Sequence, residues 1–142
     1  MRQSSGPCEI AQVDVRDSAS VKAFFDRVAA HWGGLDAIAS ITGPPIPMCR
    51  MLEVKEEGFK RIYETDVHGS FHVLRHGGLT LKAGGGGAMV LFLTTAVLRT
   101  LENDSMYGGP KSAVAALVDF LTSADAAYIS GQVIAIDGAY SA

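Results

Sequence analysis

A tyrosine and a lysine stand four residues apart in Tyr107-Gly108-Gly109-Pro110-Lys111, where the sequence predicts the start of a helix. On a helix, side chains at i and i+4 share a face and can meet. A lysine ammonium beside a phenol favours the phenolate by opposite-charge attraction. A free phenol has a pKa near ~10, and lowering it by one pH unit takes about 1.4 kcal/mol, so bringing it to neutrality takes roughly 4 kcal/mol. A tyrosine tuned in this way can exchange a proton with an alcohol or carbonyl oxygen at neutral pH. The same pair also occurs as ordinary helix surface, so its meaning depends on its surroundings.

Other chemistry-bearing groups are fewer. His68, His72 and His76 repeat at four-residue spacing and could line one helix face. No Asp or Glu stands at an offset that would complete a zinc site, so a polar helix stripe is the simpler reading. Gly84–Gly87 is a run of four glycines. A phosphate cradle follows a strand and opens a helix. This run leads into a strand instead and reads as a flexible turn. Cys8 and Cys49 have neither metal nor disulfide spacing, which suits a reducing cytoplasm.

The elements that must position these groups follow from periodicity. The chain has 142 residues, 48% hydrophobic and 19% charged, enough for one globular domain with a core. Its net charge of -3 leaves no basic footprint for nucleic acid or an anionic membrane surface. No apolar run approaches the ~20 residues of a membrane span. Residues 9–15 alternate apolar and polar and predict a strand. Asp17 or Ser18 can cap the helix that follows. Its apolar face comprises Val21, Phe24, Phe25, Val28, Ala29 and Trp32, and Gly33-Gly34 stops it. Residues 35–41 read as a buried strand. Residues 56–81 read as helical, broken near 66–69, and 88–93 as a strand. The helix bearing Tyr107 runs to about Leu121, with Pro110 expected in its first turn, where a missing N–H does no harm. Residues 132–136 read as a last strand. Strands and helices alternating with short links predict a parallel α/β layer.

Taken in order, these segments resemble the short-chain dehydrogenase/reductase family. VDVRD at 13–17 is similar to the end of its third strand, and LDAIASITG at 35–43 to its fourth strand and following turn. FKRIYETDVHGSF at 59–71 resembles the helix carrying its structural asparagine, and AMVLFLTT at 88–95 the strand ending in its catalytic serine. YGGPK resembles its Tyr-x-x-x-Lys motif, and YISGQVIAIDGAYSA at 128–142 its C-terminal strand. The resemblance implies an α/β fold, a partial Rossmann-like doubly wound, mostly parallel sheet, formed by residues 1–142 as a single truncated domain. It implies an NAD(P)-dependent oxidoreductase moving a hydride between nicotinamide and a secondary alcohol or carbonyl.

Roles follow by position. Tyr107 would be the general acid/base, and Lys111 would lower its pKa and hold the nicotinamide ribose. Thr95 would replace the serine that polarises the substrate oxygen, with Thr94 as the neighbouring alternative. Asp14 and Val15 would flank the adenine. Ser40, Thr42 and Gly43 would lie along the cofactor. Asp66 would occupy the structural asparagine position. An ionised carboxylate cannot donate a hydrogen bond, and its charge opposes a phenolate. The resemblance begins at the family's third strand, so the first two strands and the Gly-rich pyrophosphate turn have no counterpart in it. The sixth strand and the loop beside the nicotinamide are skipped as well. NAD or NADP would therefore bind weakly. A non-catalytic remnant acting as an association module is the alternative. The implied partners are a small-molecule alcohol or carbonyl and further copies in a homo-oligomer, and the implied compartment is the cytoplasm.

Overall fold

In the computed structural model, residues 7–45, 48–99 and 102–121 are described. The predicted strand at 132–136 and the family-like segment at 128–142 lie outside them. Helix α1, Ser18–Trp32, starts at Asp17, whose carboxylate accepts from the Ala19 N–H at 2.9 Å. That bond supplies one donor of the first turn with a partner. The helix ends on Gly33, left-handed at φ 77°, whose N–H returns to the Ala29 carbonyl.

Strand β1, Ala37–Ser40, pairs in parallel with β2, Ala88–Leu91, with Ala37 opposite Ala88 and Ser40 opposite Leu91. The Ala88 and Phe92 N–H groups extend the ladder to the Asp36 and Ser40 carbonyls. Between the strands runs one long helical stretch. It comprises α2 (Glu56–Ile62), a π-helical turn (Tyr63–His68) and α3 (Gly69–Ala83). The expected break near 66–69 is absent. The chain stays helical there because the wider turn shifts bonding to i−5, as in the Gly69 N–H bond to the Glu64 carbonyl. Gly84–Gly86 close α3, their N–H groups returning to the carbonyls of Thr80, Leu81 and Lys82. The glycine run is thus a hydrogen-bonded turn rather than a phosphate cradle.

Val21, Phe25 and Val73 form the core between α1 and α3, with Val13, Val15, Leu35, Ile38 and Met89 packed against them. Each of the three buried side chains contributes roughly 1.5–3 kcal/mol of hydrophobic stabilisation, and the partly buried ones contribute less. The close approach depends on Gly77, where an added Cβ would lie 2.6 Å from Ile38 Cδ1 and 2.9 Å from Phe25 Cζ. Among the described residues nothing covers the opposite face of the sheet, where Ile41, Val90 and Phe92 are at least half exposed.

Two expectations need correction. Residues 9–15 form no strand; Val13 and Val15 pack onto the α1–α3 core as irregular chain. In a doubly wound sheet two strands would separate this segment from β1. Without a neighbour to complete a ladder, side-chain burial decides its path. Pro110 is not in a first turn. Helix α4, Ser105–Leu121, begins earlier, which makes Pro110 its sixth residue. Burial of the ring, less than 2% exposed, offsets a missing backbone hydrogen bond.

Candidate active site

Helix α4 carries Tyr107 and Lys111 one turn apart. Its start is fixed by Asp104, whose carbonyl accepts from the Tyr107 and Gly108 N–H groups at 3.3 and 3.2 Å. Asp104 also forms a bridge with Cys49, which ties the helix start to the loop after β1. Its own side chain is buried, and that burial pushes its carboxyl up from the ordinary value.

Lys111 is 6% exposed, so its ammonium must be held by the fold. It donates to the Thr42 carbonyl at 2.6 Å and lies 3.5 Å from Asp66 Oδ2. The loop after β1 passes close by at Gly43. A Cβ on Gly43 would sit 3.6 Å from Asp66 Oδ1 and 3.8 Å from Lys111 Nζ. Thr42, Gly43, Asp66 and Lys111, from three separate elements, thus meet at one point.

Asp66 is completely buried within the π-helical turn, and neither carboxylate oxygen has a hydrogen-bond partner. Burial pushes its pKa up, and the nearby Lys111 charge works in the opposite direction. A buried carboxylate normally holds several hydrogen bonds. Among the described residues, this one has Lys111 as its charged partner, 3.5 Å away.

Tyr107 is half-buried. Beside it, a short 3-10 turn spans Thr95–Val97, and the Thr94 hydroxyl caps it by accepting from the Ala96 N–H at 3.4 Å. Ala96 abuts the α4 backbone, 3.6 Å from where a Cβ on Gly108 would stand. Of the two threonines, Thr94 is thus committed locally, while Thr95 lies inside the turn against α4.

The residues expected to flank an adenine have partners of their own. Asp14 is clasped by Arg16, at 2.7 Å to the guanidinium and 3.0 Å to its backbone N–H. These bonds hold the Asp14 carboxyl at about 2. The Val15 carbonyl accepts from His72 Nδ1 at 2.9 Å, and its side chain fills the space beside Gly69. Ser40 is buried, and its carbonyl is used in the sheet ladder. The histidine stripe divides among different tasks. His72 binds Val15, His76 Nε2 pairs with the Ser18 hydroxyl at 3.0 Å, and His68 is exposed.

Sequence reasoning missed Asp104, whose signal was its capping position before the Tyr-Lys helix. It also missed the Thr42 main-chain carbonyl as the partner of Lys111, for which no side-chain pattern gives a signal.

A family model described as enoyl-(acyl carrier protein) reductase matches residues 2–119. The short chain dehydrogenase/reductase AacuN of Aspergillus aculeatus is 33% identical over 117 residues, covering 82% of this chain and 44% of AacuN. In fold, an NAD+-bound xylitol dehydrogenase is similar at TM-score 0.76, 24% identity and 82% of this chain against 45% of its own. NADP-bound ElxO is similar at TM-score 0.77, 21% identity and 83% against 48%. The chain spans less than half the length of these relatives. A family match across most of the chain, together with these relatives, shows that it belongs to the short-chain dehydrogenase/reductase family.

Proposed function

We propose that the chain supplies the catalytic part of an NAD(P)-dependent oxidoreductase that interconverts a secondary alcohol and a carbonyl. One observation carries this reading. Tyr107 and Lys111 share a face of α4, and the Lys111 ammonium is buried where the loop after β1 turns at Thr42-Gly43. The residues present fit the nicotinamide-ribose end of the cofactor. Gly43 leaves a side-chain-sized gap bordered by the Lys111 ammonium, which keeps donor capacity beyond its bond to Thr42. Ser40, Thr42, Gly43 and Lys111 would hold that end, and Asp14 and Val15 would border the adenine. When bound, the nicotinamide supplies or accepts the hydride.

The protein's own work is proton handling and orientation. Tyr107 takes the hydroxyl proton of an alcohol during oxidation, or gives one to the carbonyl oxygen during reduction. The Thr95 hydroxyl holds that oxygen, and the Lys111 charge favours the phenolate. Asp66 works against the phenolate when ionised. A single domain over residues 1–142, a homo-oligomeric assembly and a cytoplasmic setting belong to the same proposal.

Titrating the chain with NADH and NADPH by fluorescence tests the cofactor. Dissociation constants at or above the millimolar range, worth only ~4 kcal/mol, are expected. Tyr107→Phe tests the chemistry, because it deletes the hydroxyl and keeps the ring. Nicotinamide-linked turnover should fall at least ~100-fold. Equal turnover by parent and variant would overturn the proposal.

A further inference from the structure

Asp66 cannot meet a ligand directly, because it has no exposed surface. Its partner must come from within the fold. Lys111 is the charged group that acts on it, and the loop facing it contributes only the uncharged Thr42 and Gly43. The other titratable groups on the helices around it are Tyr63, Glu64 and His68 on its own turn, Glu56, Glu57, Lys60 and Arg61 on α2, His72, Arg75, His76 and Lys82 on α3, and Tyr107 on α4; none of them shifts the carboxyl.

We propose that Asp66 is a protonation-dependent clamp on Lys111. Its buried carboxyl, with no hydrogen bond and 3.5 Å from the ammonium, holds Lys111 on the Thr42 side when ionised and releases it when neutral.

The physical basis is the mismatch between one Coulomb contact and complete burial. Desolvating a carboxylate is costly unless hydrogen bonds replace water. Here Lys111, at 3.5 Å, is the group beside it among the described residues, so the neutral acid competes with the ion pair. In the acid form the O–H bond is intact and the site keeps the full Lys111 charge for the phenol. When that bond breaks, the proton leaves to solvent. The new carboxylate then divides the field of Lys111. Asp66 is therefore a positioning residue that acts through Lys111. Its functional consequence rests on the oxidoreductase reading above, whereas the clamp itself can be read without turnover.

The test is a carbon-13 NMR titration of the whole chain, following the Asp66 carboxyl and Lys111 Cε. The Asp66 midpoint should lie above the ordinary value of ~3.9, and Lys111 Cε should move at the same midpoint. In Asp66→Asn that step in Lys111 should vanish. If this variant does not fold, Lys111→Met gives an independent result, since loss of the cation should raise the Asp66 midpoint further. A midpoint at or below the ordinary value, a Lys111 step that persists in Asp66→Asn, or an unmoved Asp66 midpoint in Lys111→Met would overturn the clamp. Failure of the oxidoreductase reading would instead appear as indifference of turnover to Tyr107→Phe, with the NMR result intact.

Discussion

At the scale of single residues, two carboxylates of this chain show how surroundings decide charge. Asp14 is open to solvent but held by three hydrogen bonds from Arg16, which keep its carboxyl at about 2. Its folded value lies below the unfolded one, so its contribution to stability is present above the unfolded value and is lost as pH falls through about 2. Arg16→Ala should move the Asp14 midpoint up toward the ordinary ~3.9, as read by carboxyl NMR. An unmoved midpoint would remove Arg16 as the cause. Asp66 has the opposite sign. Its folded value is raised by burial, so the stabilising contribution is full below the unfolded value of 3.8 and is lost as pH rises through the folded midpoint. Asp66→Asn should therefore gain on the parent as pH rises, measured by denaturant unfolding at a series of pH values. A stability difference that does not change with pH would contradict the raised midpoint. The spacing of Tyr107 and Lys111 was legible in the sequence. The burial of Asp66 was not, because exposure depends on which helices close over it.

At the scale of elements, the same change made at two glycines should cost stability for two different reasons. Gly33→Ala places a Cβ where nothing stands within 4 Å, so the cost is the left-handed backbone alone, roughly 1–2 kcal/mol. Gly77→Ala drives a methyl into Ile38 and Phe25, an overpacking that costs about 1–3 kcal/mol. Denaturant unfolding of both variants checks the pair, and an unchanged Gly77→Ala would deny the close approach of α3 to β1. Helix α1 could be placed from its apolar face and its Asp17 and Gly33 signals, and those local features also set its ends. Residues 9–15 had an equally regular pattern and formed no strand. A helix satisfies its own backbone, whereas a strand needs a neighbour, and alternation in one segment says nothing about who that neighbour is. For the same reason β1 and β2, which have each other, formed where the sequence put them, β1 shorter at both ends and β2 at its C-terminal end.

At the scale of the whole molecule, the two-stranded sheet leaves one face and both outer edges without cover among the described residues. Unpaired edges beside exposed Val90 and Phe92 invite association. Sedimentation of the chain should show self-association that grows with concentration, and Phe92→Lys should weaken it. Identical behaviour of parent and variant would place any assembly surface elsewhere. The parallel α/β class could be read from the alternation of elements, while the sparse sheet could not, since it depends on pairings between distant segments. The long helical stretch from Glu56 to Ala83 joins the two halves of this arrangement. Its first part touches α4 and its last part packs against α1 and β1. The π-helical turn between them holds one residue more than an α-helical turn would. Each residue advances an α-helix by about 100°. Deleting one residue from 63–68 would therefore restore regular winding and leave the flanking helices in register, whereas a further residue wound as ordinary α-helix would swing everything before it by that angle relative to α3. Ile62 and its neighbours would then face away from α4 with no side chain altered. The alignment of the site with the core thus rests on the turn that absorbs the extra residue, a backbone device that an insertion can undo with every side chain kept.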